Sequence, residues 1–116
     1  MSLESLLTRI QNHPETIEFP EVIQVIEENY NYQPCEFSNG PSVINQAGSN
    51  EGSCKIFAFA QLHQLSEPQT LACFGDYYRR DVLENPEAED HANIRSFIKH
   101  GWQGISFKGQ ALTVKE

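Results

Sequence analysis

The chain has 116 residues, 39% hydrophobic and 21% charged, and sixteen Asp and Glu against eight Lys and Arg give it a formal charge of -8. That length and apolar content suit a single domain with one core and exclude a disordered tail. The acidic balance repels phosphate backbones and anionic bilayers, so it argues against nucleic acid and membrane as partners and leaves a basic partner, a cation or plain solubility as its meaning.

Three cysteines, Cys35, Cys54 and Cys73, are an odd number without CxxC spacing, which suggests neither a disulfide framework nor a zinc site. They read as reduced thiols of a cytoplasmic protein. No apolar run approaches the roughly 20 residues needed to span a bilayer, and MSLESLLTRI lacks the basic region and long apolar run of a Sec-type signal.

In chain order, Leu3, Leu6, Leu7 and Ile10 keep the i, i+3, i+4, i+7 spacing of an amphipathic helix that ends at His13-Pro14. Phe19, Val22, Ile23, Ile26 and Tyr30 repeat the pattern after Pro20, predicting a second helix over roughly residues 20 to 31. Residues 32 to 52 are rich in Pro, Asn, Gly and Ser and form the main irregular region. Within it, Asn39-Gly40 between Glu36-Phe37-Ser38 and Ser42-Val43-Ile44 predicts a short hairpin, limited to a sheet edge by Pro41.

From Ser53 to His63 apolar residues occupy nearly every side of a helical wheel, as expected for a helix enclosed by others. Ser66-Glu67-Pro68-Gln69 fits a capping box opening a fourth helix, with Gly75 as a possible break into two and Asn85-Pro86 as its end. Asp90 can cap a fifth helix that carries Ile94, Phe97 and Ile98 inward and stops at Gly101. Ile105 and Phe107, separated by Gly109 from Leu112-Thr113-Val114, predict a second hairpin. The expected fold is α+β: about five helices packed around a central buried helix at 53–63, with a small antiparallel sheet from residues near 36 to 44 and 103 to 114.

Chemistry has three candidate seats. Cys54 follows a flexible loop and falls in the first turn of the central helix, where the macrodipole and free backbone donors favour a thiolate and could hold an oxyanion. His91 or His100 could serve as its base, oriented by Glu89, Asp90 or Asn93; the competing reading makes Cys54 a small buried core residue. Arg79 and Arg80 follow two tyrosines and could grip an anionic ligand, against a competing reading of i, i+4 ion pairs with Asp76 and Glu84. Trp102, between His100-Gly101 and Gln103-Gly104, could stack a sugar or peptide, or could cover one end of the core. Glu84, Glu87, Glu89 and Asp90 beside His91 lack a calcium-loop or HxxxH register, so they read as a solvated, helix-capping loop and not as a metal site. No cofactor motif is present.

Three segments, NHPETIEF at 12–19, NEGSCKIFAFAQL at 50–62, and YYRRDVLENP through DHANIRSFIKHGWQGISF at 77–107, resemble the HopJ type III effector family. The likeness runs from about Thr8 to Thr113. It implies a protein that plant pathogens inject into host cells, although similar proteins occur in bacteria with no obvious host, and it implies no reaction, cofactor or catalytic residue. Residues 2 to 12 read as an amphipathic helix, unlike the unstructured, serine-rich leader expected for type III secretion. The leading expectation is a cytoplasmic, non-catalytic interaction protein, injected where the organism has a type III system, that binds a host or bacterial protein near the 45–54 loop and Trp102. Its rivals are a thiol hydrolase or acyl transferase using Cys54 with His91 or His100, and a small-ligand or sugar site at Trp102 with Arg79 or Arg80.

Overall fold

A computed structural model describes residues 2–115. Helix α1 (Leu3–Asn12) is capped by Ser2, whose side chain accepts from the Ser5 amide, and it buries Leu6 and Ile10. A single turn at Pro14–Thr16 leads into α2 (Phe19–Asn29), where Glu18 and Glu21 form a reciprocal capping box. Helix α2 is shorter than the sequence pattern predicts. Tyr30 leaves the helix and enters strand β1 (Tyr30–Tyr32), which pairs antiparallel with the far end of the chain.

The predicted hairpin forms: β2 (Phe37–Asn39) and β3 (Val43–Asn45) pair antiparallel around Gly40, whose φ of +81° is the left-handed geometry that turn requires. Strand β3 lies at the edge of a three-stranded sheet of order β3-β2-β4, with β4 at Ile105–Phe107. The expected second hairpin does not form. Strand β4 pairs with β2, whereas β5 (Leu112–Val114) pairs with β1, so the C-terminal strands serve two separate sheets instead of each other. Each finds a partner more than fifty residues away, and no local signal announces such a pairing.

Helix α3 (Glu51–Leu62) is central, with Cys54 and Ile56 through Ala60 buried. It begins two residues before Ser53, at a left-handed Asn50, so Ser53 lies inside the first turn and is not its cap. Around it, α4 (Glu67–Ala72) carries the predicted Ser66/Gln69 capping box. Gly75 breaks the chain at φ +60°, and a short π-helical segment follows at Tyr77–Val82. Helix α5 (Ala92–His100) ends at Gly101, as its sequence signals predict, and buries Ile94 and Phe97, but Ile98, expected to face inward, is exposed. Its N-cap position is taken by a left-handed His91 in place of the expected Asp90, whose carboxylate instead pairs with Arg95 at 2.8 Å. The core runs from Leu6 and Ile10 through Phe37, Phe57 and Phe59 to Phe97 and Leu112, all at most 1% exposed.

Among the described residues, no helix is long and apolar enough to cross a membrane.

Candidate functional site

An open cleft of about 590 Å³ lies where the β2–β3 hairpin, the starts of α3 and α5, and the rings of Phe19, Phe74 and Tyr77 meet. Its position follows from Phe19. The ring stacks on Phe74 at 6.4 Å and meets Tyr77 edge-on at 5.1 Å. Gly52 admits it to the first turn of α3, since a Cβ at that position would come within 2.9 Å of the Phe19 ring.

The polar wall is built from asparagines. Asn93, buried in the first turn of α5, accepts at Oδ1 from Asn39 (3.1 Å) and Asn45 (2.9 Å), and its Nδ2 donates to Asn45 Oδ1 (2.9 Å). Asn39 Nδ2 also donates to the Asn93 carbonyl at 2.8 Å. Asn50 spends its amide on Asn45 Oδ1 at 2.7 Å and leaves its own helix without a side-chain cap. Helix α5 likewise lacks one. The first turns of two helices, twelve and nine residues long, thus line one cleft with their leading amides uncapped by side chains. Such turns present donors and a partial positive charge.

His91 stands at the mouth, with Nε2 3.0 Å from Asp81 Oδ2 and 3.8 Å from Asp90 Oδ2. Both Asn50 and His91 hold φ near +50°, unusual for residues with a side chain. Ile44, 61% exposed, and Tyr77, 45% exposed, give the rim apolar character.

Cys54 does not join this site. It is 1% exposed, and its thiol points toward the Cys35 carbonyl at 3.8 Å. The helix start that would favour a thiolate is present, yet burial dominates and pushes the thiol up, with the Tyr32 hydroxyl opposing it. His91 pairs with Asp81, and His100 lies at the other end of α5, about 14 Å along the axis, in a separate depression of about 370 Å³ with Gly40 and Gln103. Cys54, His91 and His100 therefore occupy three different places, and the expected thiol–imidazole pair is not assembled.

Arg79 is drawn inward. Its Nη2 donates to the Ile17 carbonyl at 2.6 Å and lies 3.4 Å from Asp76, so it ties the π-helical segment to the chain entering α2. The ion pair is i, i+3 and not the expected i, i+4 set, and Arg80 is exposed. Trp102 packs edge-on against Phe97 and Phe57 and donates Nε1–H to the Leu65 carbonyl at 3.0 Å, covering the end of the core. A depression beside it is lined with Ala60, Gln61, Gln64 and Leu65 and by neither arginine. Asn50 opens α3, whereas Trp102 packs on Phe57 and lines its depression with Ala60 and Gln61 farther along that helix, and the cleft and this depression share no lining residue. Among the described residues, no group of three or more His, Cys, Asp or Glu side chains is placed to hold a metal ion.

Phe19, Asn45, Asn50 and Asn93 escape the sequence reading as a group. Phe19 reads as helix core, Asn45 and Asn50 as loop formers, and Asn93 as an orienting group for a histidine. The one available signal is the density of asparagines between 39 and 50.

Fold and site together define a small α+β protein with an open, amide-walled cleft at the start of two helices. The chain belongs to the HopJ family: the family described as HopJ type III effector protein matches residues 3–112. A crystal structure described as that of an unknown function protein, VPA0580, is 50% identical, with a TM-score of 0.97 over 99% of this chain and 95% of that one. No curated protein matches.

Proposed function

We propose that this HopJ-family chain is a non-catalytic interaction protein that receives an extended peptide segment of a host or bacterial protein in the cleft between the β2–β3 hairpin and α5. The observation that carries the reading is the pairing, in one cleft of about 590 Å³, of two uncapped helix starts with an exposed apolar rim at Ile44 and Tyr77. A peptide supplies the matching groups: backbone carbonyls for the free amides and side chains for the rim. The asparagine network holds the wall rigid beforehand, which lowers the ordering cost of binding. The family's description as type III effectors supports delivery of the chain into host cells.

The test is selection of a random phage-displayed peptide library on the native protein, followed by counter-selection on Ser42→Trp and Ile44→Asp. Both positions are exposed and line the cleft, so these variants should fold normally. Peptides that bind the native protein and lose binding to both variants support the reading. Peptides that bind all three proteins alike, or the absence of any selected peptide, would overturn it.

A further inference from the structure

Phe19 and Tyr77 line a second cavity as well, of about 360 Å³, which adjoins the cleft across their rings as a second lobe. The second lobe is bounded by Glu18, Phe19, Pro20, Asp76, Tyr77 and Asp81: three carboxylates, two aromatic rings and a proline, with no lysine or arginine. Two of these carboxylates are partly engaged by neighbouring side chains. Arg79 reaches Asp76 at 3.4 Å but makes its shorter bond, 2.6 Å, to the Ile17 carbonyl, and His91 meets Asp81 through Oδ2. The Asp76 and Asp81 side chains remain 70% and 49% exposed. The first lobe has the opposite character, with helix starts and amides and no carboxylate in its wall.

We infer that the second lobe takes a lysine or arginine side chain of the docked segment, next to an apolar residue seated on the Ile44 and Tyr77 rim. The inference rests on the reading of the cleft as a peptide-docking surface. Three observations select this occupant over a neutral or acidic one. The lobe is acidic within a chain of charge -8, so a cationic segment is steered toward it and an anionic one repelled. The exposed Tyr77 ring offers a face for a cation. Phe19 and Pro20 offer apolar surface along which a long alkyl stem can lie while its charged head reaches the carboxylates.

The experiment repeats the peptide selection on native protein and on the Asp76→Asn, Asp81→Asn double variant, both of unchanged melting temperature, and then measures affinities of the selected peptides by fluorescence anisotropy. Native protein should enrich peptides with Lys or Arg beside an apolar residue. Those peptides should bind the double variant about tenfold more weakly and weaken further with added salt. If either substitution lowers the melting temperature, Glu18→Gln replaces it. Cleft-dependent peptides that carry no basic residue, or basic peptides indifferent to the carboxylate substitutions, would overturn this inference while leaving the cleft reading intact. Peptides indifferent to Ser42→Trp would overturn both.

Discussion

Gly75 lies directly against the backbone of Phe19: a Cβ at Gly75 would stand 2.7 Å from the Phe19 nitrogen, at a φ of +60°. The break between α4 and the π-helical segment and the start of α2 are thereby held in contact, and the Phe19 ring is fixed between Phe74 and Tyr77 at the junction of the two lobes.

Gly75→Ala combines left-handed strain with a clash against backbone that cannot rotate away, and it should cost about 2–3 kcal/mol of stability by urea unfolding. Gly48→Ala is the control. Gly48 also has positive φ, at +88°, but has open space around it, so it should cost only about 1 kcal/mol.

Asn93→Ala removes an amide that accepts from Asn39 and Asn45 and donates to Asn45. Both neighbours are buried, and Asn39 Oδ1 already lacks a partner. Unfolding should show a loss of about 1–3 kcal/mol, together with weaker binding of any cleft-dependent peptide. The same change at exposed Asn50 should cost less, because it breaks one bond at the edge of the network.

The cysteines should separate by accessibility. Cys35 is half-buried, whereas Cys54 and Cys73 are buried, with burial pushing the Cys54 thiol up and the Cys73 thiol up to about 12. Iodoacetamide at mildly alkaline pH, read out by mass spectrometry, should label Cys35 first and leave the other two intact until the chain unfolds. Rapid labelling of Cys54 that slows on replacing His91 would restore a thiol chemistry that the geometry does not provide.

Glu21 accepts from Arg9 at 2.8 Å and from the Glu18 amide at 2.9 Å, and the Arg9 bond holds its carboxyl below the usual value of 4.5. A folded-state pKa below the unfolded one means that this stabilisation is fully present above the unfolded value and is lost as pH falls through the folded value. The native protein should therefore melt higher than Glu21→Gln near neutral pH. The gap should be small, since both side chains are partly exposed, and it should narrow as pH falls below 4.5 and vanish only below the lowered folded value.

Local signals translated well into structure. The Ser66/Gln69 box, the stop at Gly101 and the break at Gly75 depend on residues within a few positions of each other, and each appears where the sequence places it, whereas the hairpin turn falls one residue later than expected, with Asn39 inside β2. Strand β1 and the partners of β4 and β5 were hidden because three-residue strands carry little pattern and their pairing is decided by tertiary contact. The cleft was hidden for a related reason: Phe19, Asn45, Gly52, Tyr77 and Asn93 come from five separated stretches of chain and converge only in the fold. Cys54 shows how local and tertiary effects compete. Its place in a helix's first turn was legible, but the burial that decides its chemistry was set by neighbours on other elements.

The most direct test of the central claim is a ¹H–¹⁵N correlation spectrum of the native protein during titration with a selected peptide. Binding in the cleft should move the amides of Gly52, Ser53, Ala92 and Asn93 at the two uncapped helix starts together with those of Ile44 and Tyr77, and leave the Trp102 indole N–H unchanged. Shifts centred on Trp102, Gln64 and Leu65, with the helix-start amides still, would place binding at the other end of α3 and contradict the account.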